Sequence, residues 1–341
     1  MYVVLKEMSL FDRVLVPIPL EFAVKSRSIG KVCLSICGVY ALLLGSSARL
    51  HAQSLTVEGQ TGGFVTPTAY VVPSAKKQIF SHPALGYYFL NAGNVIGDIH
   101  TISFEEGIAN RAEFGYTRNV HVMGGDPLLS DFWHFAGMNI FNGKAVLVKD
   151  GQGTPFTPGV AAGFVVRTDD KYVSGAIGPL LGQPLKSYTN EDFYAVATKT
   201  WKHKPVPFIA NLGLKFTNAS ILGIGGQSTR YQGRLFGGLG LPLPGPLKTA
   251  IIPAVGFMQQ PPHSVNLGSI LAGGGGRLPT TLDYAVRLTQ RDNPHFSAGI
   301  GVGQVAGLLG DTVVPTAGGP MLVPVNLQAR KVFGLNVGLR Y

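Results

Sequence analysis

Cysteine is nearly absent from this sequence. The 341 residues contain two cysteines, Cys33 and Cys37, and both lie in the amino-terminal segment that we interpret below as a leader. The remaining chain therefore has neither a disulfide framework nor a thiolate metal site. The eight histidines are scattered, with no spacing that indicates a ligand set. We accordingly expect no metal and no other cofactor.

Charge and long apolar runs are also scarce. Charged residues make up 13% of the sequence, whereas glycine is frequent, at 46 residues. Beyond the leader no apolar run approaches the ~20 residues that a membrane-spanning helix needs. The leader holds six of the 28 basic and three of the 18 acidic residues, which leaves 22 against 15. This excess is not clustered and carries no nucleic-acid motif, so we expect no nucleic-acid partner.

The amino-terminal region has the order of a secretory signal peptide. A basic patch is followed by an apolar run of 14 residues, 32–45, and then by small residues. The run is too short to cross a bilayer as a helix. The basic patch consists of Lys25, Arg27 and Lys31. The protein is therefore expected to leave the cytoplasm.

Cleavage of this leader is predicted after Ala52, with Ala48 as the alternative, so that residues 1–52 are removed. The leader is unusually long. In an alternative interpretation residues 1–23 are a misassigned start, and translation begins at Met8 or at Val24.

The last nine residues alternate between an apolar and a small or polar face. Because strand side chains point to opposite faces with period two, this pattern predicts a strand with one wholly apolar face. The apolar face comprises Phe333, Leu335, Val337, Leu339 and Tyr341. A closing strand of this kind, ending on an aromatic residue, is typical of transmembrane β-barrels. It resembles the terminal strand of bacterial outer-membrane proteins, which implies recognition by the barrel-assembly machinery.

Eleven further segments have the length and alternation of transmembrane strands, which run about 9–11 residues. The twelve predicted strands are 84–92, 98–106, 111–119, 137–149, 158–168, 192–202, 206–218, 234–243, 249–260, 279–291, 296–304 and 325–341. In 137–149 and 192–202 either face could be outward. We therefore predict an all-β fold: a transmembrane antiparallel up-and-down β-barrel of about 12 strands, over residues 84–341.

The connections between these strands alternate in length, as the loops and turns of outer-membrane barrels do. With the carboxy terminus in the periplasm, the long connections fall outside. They are 120–136, 169–191, 219–233, 261–278 and 305–324. Only 93–97 is short on the outer side. This sorting favours a barrel in the bacterial outer membrane, in contact with its lipid, over a soluble sandwich.

Residues 53–83 precede the first strand and lack a strand period. Two interpretations stay open: a plug folded into the lumen, or a mobile periplasmic leader segment.

Three short motifs resemble the YjbH-like outer-membrane barrels linked to exopolysaccharide production. The motifs are Gly63–Ala69 (Gly-Phe-Val-Thr-Pro-Thr-Ala), Ile102–Tyr116 and Pro158–Gly163 (Pro-Gly-Val-Ala-Ala-Gly). The resemblance covers about residues 60–165 and assigns no functional residue. It implies an accessory barrel in envelope or exopolysaccharide production.

Charged side chains on the small or polar strand faces are predicted to line the lumen. The basic candidates are Arg111, Arg167, Lys215, Arg287, Arg330 and Arg340, and the acidic candidates are Glu105, Glu113 and Asp283. Rings of like charge select ions of opposite sign. In a narrow or plugged barrel we expect pairs instead, Arg287 with Asp283 and Arg111 with Glu113.

Catalysis is not predicted. His295 and Ser297 share a strand face, as in lipid A deacylases, but no glutamate follows Glu191 and Asp311 falls in a predicted loop. The favoured function is passage or binding of small hydrophilic, anionic solutes. The alternatives are a non-enzymatic accessory barrel for polysaccharide, and a structural or adhesive barrel acting through its outer loops.

Overall fold

The computed structural model describes thirteen parts of the chain, all within one compact unit, residues 47–341. They are residues 54–75, 77–93, 97–122, 137–169, 190–201, 207–219, 222, 227–261, 280–290, 295–305, 308–316, 319–326 and 331–340. The predicted leader and Tyr341 lie outside them. Within these parts there is no helix of the length and apolarity needed to cross a bilayer.

Seventeen strands are present in the described chain. They are β1 (Ser54–Leu55), β2 (Thr61–Gly62), β3 (Ala84–Asn91), β4 (Asp98–Ile108), β5 (Ala112–Val122), β6 (Met138–Val148), β7 (Gly159–Asp169), β8 (Asn190–Trp201), β9 (Phe208–Ala219), β10 (Gln227–Gly240), β11 (Leu243–Pro244), β12 (Thr249–Met258), β13 (Thr281–Gln290), β14 (Phe296–Val305), β15 (Leu308–Thr316), β16 (Gly319–Asn326) and β17 (Lys331–Arg340).

Twelve long strands close into one antiparallel β-barrel. Strands β3 to β10 pair in sequence order, as do β12 to β14, and β14 pairs with β17. Two contacts complete the ring: β10 pairs with β12, and β17 pairs with β3 from Phe333 opposite Asn91 to Arg340 opposite Ala84. The predicted transmembrane up-and-down barrel is confirmed, and each of the twelve predicted strands overlaps an observed one.

The side chains of the barrel are distributed as lipid on the outside requires. In β9, Leu212, Leu214 and Phe216 are 58%, 41% and 54% exposed, whereas Lys215 and Thr217, at the alternate positions, are buried. Other exposed outward apolar side chains are Leu85, Tyr87, Ile102, Phe104, Phe114, Phe164, Phe193, Tyr284, Val286 and Ile300. A barrel whose apolar side chains face out and whose charges face in is stable in a membrane.

The two ends of the barrel differ in their connections. At the short-turn end the strands are joined by 109–111, 149–158, 202–207, 241–248 and 291–295. At the other end, the loop end, the connections are 92–97, 123–137, 170–189, 220–226, 259–280 and 306–330. Two of the short turns have consecutive positive φ angles, 50° and 54° at Ala109 and Asn110 and 52° and 58° at Leu247 and Lys248. Such pairs are typical of type I′ hairpin turns, which match the twist of the strands they join.

Two predicted loop-end connections contain strand. Residues 308–316 and 319–326 form the β15–β16 hairpin, so the last barrel strand begins at Lys331 and not at residue 325. The sequence pattern predicts this part of the chain as a long outer connection; an isolated two-stranded ribbon tolerates its prolines because both of its strands are edge strands. Strand β10 likewise begins at Gln227, inside the predicted loop 219–233.

Candidate functional site: the occupied barrel interior

Among the side chains that the structure describes, ten charged ones share the inward face of the barrel strands. Six are basic and four are acidic. The basic residues are Lys144, Arg167, Lys215, Arg234, Arg287 and Arg340, and the acidic residues are Glu105, Glu113, Asp192 and Asp283. Seven of the ten are buried; Arg234, Arg287 and Arg340 are partly exposed. Buried charges are stable only with partners, and residues 54–73 supply many of those partners.

Residues 54–73, here called the plug segment, form a hairpin inside the barrel from its short-turn end. The leg that begins at Ser54 passes Gly86, where a Cβ on that glycine would lie 3.5 Å from the Cβ of Leu55. The returning leg leaves beside Arg340, whose Nη2 donates to the carbonyl of Pro73 at 2.6 Å. Both legs therefore meet strand residues of the short-turn end, while the tip between β1 and β2 points toward the loop end.

The tip of the hairpin holds Glu58 against a buried arginine. Nε of Arg167 donates to Oε1 of Glu58 at 2.5 Å. The same guanidinium donates to Asn190 Oδ1 at 3.1 Å and to Asp192 Oδ2 at 2.7 Å. Nζ of Lys215 lies 3.6 Å from Asp192. We call this cluster the tip contact.

A second charged cluster, the middle contact, lies nearer the short-turn end of the barrel than the tip contact does. Nζ of Lys144 is 2.8 Å from Oε1 of Glu113, and both side chains are fully buried. The plug segment hydrogen-bonds this pair with neutral groups. Thr61 donates its backbone N–H to Glu113 at 3.0 Å and its hydroxyl at 2.5 Å, and the Val72 N–H donates at 2.9 Å. In return, the carbonyl of Thr61 accepts from Lys144 at 2.9 Å.

Inward-facing glycines make room for an aromatic side chain of the plug segment. A Cβ at Gly334 would lie 2.4 Å from Cζ of Phe64, and one at Gly301 would lie 3.0 Å from its Cε2. The Phe64 ring also meets Tyr88 edge to face, with centroids 5.3 Å apart. These glycines therefore accommodate the Phe64 ring of the plug segment against the wall.

The returning leg is held near the short-turn end by polar side chains of the wall. Thr198 Oγ1 accepts from the Ala69 N–H at 2.8 Å, and Asn211 Nδ2 donates to the Pro67 carbonyl at 3.1 Å. The Tyr70 hydroxyl donates to Asp150 Oδ2 at 2.9 Å. Burial, above all, raises the pKa of the Tyr70 hydroxyl above its ordinary value, so this donor stays protonated.

Seven of the nine sequence-predicted lumen residues face the interior of the described barrel. They are Glu105, Glu113, Arg167, Lys215, Asp283, Arg287 and Arg340. Arg111 lies elsewhere: it is exposed in the β4–β5 turn, where Nη1 donates to the carbonyls of Val146 and Leu147. Arg330 lies outside the described residues.

One of the two expected pairs is replaced. Glu113 pairs with Lys144 instead of Arg111, because Arg111 lies in the exposed β4–β5 turn. Arg287 interacts electrostatically with Asp283, as expected, and also donates to the carbonyls of Gly62 and Gly63 at 3.0 and 3.3 Å. Backbone carbonyls of the plug segment therefore share a wall cation with a wall carboxylate.

Sequence reasoning missed four charged interior residues: Glu58, Lys144, Asp192 and Arg234. Lys144 and Asp192 lie on the two strands whose alternation fits either face, and β6 also has a register irregularity between Val146 and Val148. One sequence feature could have indicated Glu58: it is the one charged residue in 54–73.

The terminal strand presents its predicted apolar row outward. Phe333 and Leu339 are 43% and 36% exposed, and Leu335 and Val337 are partly exposed. Between them, Asn336 is buried toward the interior.

Several solved outer-membrane barrels are similar to this chain in fold, at low sequence identity. The KdgM porin in complex with disordered oligogalacturonate gives a TM-score of 0.41 at 8% identity, over 76% of this chain and 99% of that chain. A second KdgM porin structure gives 0.39 at 8% identity, over 76% and 99%. The beta domain of the Bordetella autotransporter Brka gives 0.37 at 12% identity, over 77% and 100%. No protein-family model and no curated protein sequence matches the chain. The YjbH-like resemblance thus stays a prediction.

Proposed function

We propose that this chain is an outer-membrane channel for small hydrophilic solutes, closed by the plug segment and opened when that segment leaves the lumen. The observation that carries the proposal is the polar, charged inner wall of a barrel whose outer face is apolar. A wall of this kind suits water and solutes once its present occupant is gone. The protein has no chemistry of its own in this proposal.

The plug segment is attached to the wall in a way that permits withdrawal. Its backbone ladder, β1 with β2, is internal and separate from the barrel sheet. Between residues 54–73 and the described barrel strands, the hydrogen bonds involve at least one side chain. Because both legs meet the short-turn end, the hairpin can leave through that end without unpairing a barrel strand.

A reversible cross-link tests the gating step. A Leu55→Cys, Gly86→Cys double variant would place its Cβ atoms about 3.5 Å apart, which suits a disulfide. Ala69→Cys with Gly159→Cys gives the same 3.5 Å spacing on the other leg. The sequence beyond the predicted leader has no cysteine, so wild type and the four single variants are clean controls.

The expected result is conductance in planar bilayers that disappears on oxidation and returns with a reductant. Conductance that is unchanged by oxidation would overturn the plug mechanism but leave the proposal of a channel intact. A variant lacking residues 54–73 that folds but never conducts would overturn the channel itself.

The second candidate is an accessory barrel that binds envelope or extracellular polysaccharide without conducting. The occupied interior favours it, since a plug segment that stays in the lumen would obstruct passage. A folded, silent deletion variant that binds glycan would support this candidate.

Selectivity for anions is part of the proposal. Among the side chains that the structure describes, inward-facing basic residues outnumber acidic ones by six to four, and removing the plug segment also removes Glu58. Anions should be favoured most at low salt, where screening extends to about 30 Å at 0.01 M against about 10 Å at 0.1 M. Arg287→Gln together with Arg330→Gln should move the reversal potential toward cation preference. An unchanged reversal potential would show that these arginines do not line the conducting path.

Export and assembly complete the proposal. We expect a mature chain that starts near Gln53, with the short-turn end in the periplasm, which amino-terminal sequencing of the membrane fraction checks. The barrel-assembly machinery is the proposed reader of the terminal strand. Tyr341→Asp should therefore lower the yield of heat-modifiable barrel, whereas normal yield would contradict that reading.

A further inference from the structure

Glu58 completes a buried arginine site whose other members belong to the barrel wall. It is the one charged side chain in residues 54–73, and it is placed at the hairpin tip. Gly59, with φ of +94°, turns the chain there, and Thr117 Oγ1 donates to the Glu58 carbonyl at 3.0 Å. The tip therefore presents a single carboxylate to Arg167.

The wall alone is one negative charge short at this site. Arg167 and Lys215 contribute two positive charges, and Asp192 contributes one negative charge. Asp192 is already shared, since it lies 2.7 Å from Arg167 and 3.6 Å from Lys215 and also accepts from the Thr217 hydroxyl. Glu58 brings the cluster to neutrality, so withdrawing the plug segment leaves an excess of one positive charge. A buried excess charge calls for a replacement anion.

The side-chain amide of Asn190 belongs to the same cluster, and only its oxygen is hydrogen-bonded within the described part of the chain. Asn190 is fully buried and accepts from Arg167 through Oδ1, while its Nδ2 has no hydrogen-bond partner among the described residues. A buried donor without an acceptor is unfavourable. The site thus offers a guanidinium, an ammonium and a free amide N–H, which suits a carboxylate with a neighbouring hydroxyl oxygen.

We propose that Glu58 occupies the binding site of a carboxylate-bearing solute, and that this solute opens the barrel by displacing Glu58 from Arg167. The inference rests on the proposed function, because it requires a plug segment that can leave. The site lies where β7 ends and β8 begins, on the loop-end side of the interior, so a solute entering from that end meets the tip of the hairpin. Guanidinium groups bind carboxylates through charge-assisted hydrogen bonds, and an incoming carboxylate reproduces the contact that it breaks.

The experiment compares wild type with Glu58→Gln in planar bilayers. Open probability is measured in potassium chloride, then with added potassium D-glucuronate, with extra chloride at equal ionic strength, or with D-glucose as the neutral sugar. Of the three additives, only glucuronate should raise the open probability of wild type, by about tenfold. In potassium chloride without glucuronate, the open probability of Glu58→Gln should be about tenfold higher than that of wild type. Glu106→Gln, the same change on the outward side of β4, is the matched control and should behave as wild type.

A double variant, Glu58→Gln with Arg167→Gln, tests the ligand class. It removes one charge of each sign and leaves Lys215 to neutralise Asp192, and heat-modifiable mobility verifies folding. It should conduct but lose its preference for glucuronate over glucose by about tenfold. Retained preference would overturn the assignment to Arg167.

The two proposals fail in different ways. Suppose that the variant lacking residues 54–73 conducts. If Glu58→Gln then behaves as wild type, or if glucuronate opens wild type no more than chloride does, the carboxylate site is wrong and the channel stands. If the deletion variant folds and stays silent, the channel itself is wrong.

Discussion

The plug segment meets the barrel wall at two charged contacts that are built differently. At the tip contact the plug segment supplies a charge, Glu58, that the wall needs. At the middle contact the wall supplies both charges, Lys144 and Glu113, and the plug segment adds neutral N–H, O–H and C=O groups. The first contact is incomplete without the plug segment, whereas the Lys144–Glu113 pair of the second is neutral by itself. Withdrawal of the plug segment would therefore change the net charge of the tip contact. At the middle contact, the plug segment contributes hydrogen bonds but no charge, so that contact only positions the segment.

The largest effect is expected from Arg167→Gln, which leaves two carboxylates of the tip contact, Glu58 and Asp192, with Lys215 alone. Removing one partner of a buried ion pair costs about 3–5 kcal/mol. The free energy of unfolding should fall by about that amount, measured by urea unfolding in lipid vesicles with heat-modifiable mobility as the readout. Adding Glu58→Gln should restore part of the loss. No restoration would mean that Glu58 does not share the charge of Arg167.

A smaller effect is expected from Lys144→Gln in the middle contact. Glu113 keeps three hydrogen bonds from Thr61 and Val72, so we expect a loss of about 2–3 kcal/mol. The plug segment should stay docked, because its own donors still bind Glu113. Maleimide labelling of Val57→Cys reports docking, and it should rise in Glu58→Gln but not in Lys144→Gln. Lys149→Gln, an exposed lysine one residue beyond the same strand, is the control.

The next largest effect is expected from steric overlap between a wall residue and the plug segment. Gly334→Ala places a Cβ 2.4 Å from Phe64, and overpacking of this kind costs about 1–3 kcal/mol. We expect this cost to fall on plug docking and to increase labelling of Val57→Cys. Gly303→Ala has its nearest neighbour atom at 3.9 Å and should leave labelling unchanged. Equal labelling in both alanine variants would show that Phe64 does not anchor the hairpin.

The smallest effect is expected from Thr61→Val. It removes the hydroxyl donor to Glu113 and keeps the backbone donor at 3.0 Å, at a cost of about 1 kcal/mol. Labelling of Val57→Cys should rise slightly, and Thr61→Ser should reverse the rise because it restores the hydroxyl. A response as large as that of Glu58→Gln would erase the distinction between the two contacts.

Prediction from sequence succeeded where the signal is local. Alternation of side chains along a strand is fixed by backbone geometry, so β9, β13 and β17 could be placed with their outward faces from a few residues each. It failed where alternation is ambiguous. Lys144 lies on β6, where both faces carry apolar residues, and the pattern there cannot say which charge turns inward.

The sequence by itself determined the barrel, its strands and the apolar band, because period-two patterning and the solvation of apolar side chains act over a few residues. Only the tertiary structure decided what fills the barrel. Glu58 and Arg167 are 109 residues apart, and no local pattern links them. Their pairing follows from closure of the ring through β17 and β3, which confines the amino-terminal hairpin among buried charges that need partners.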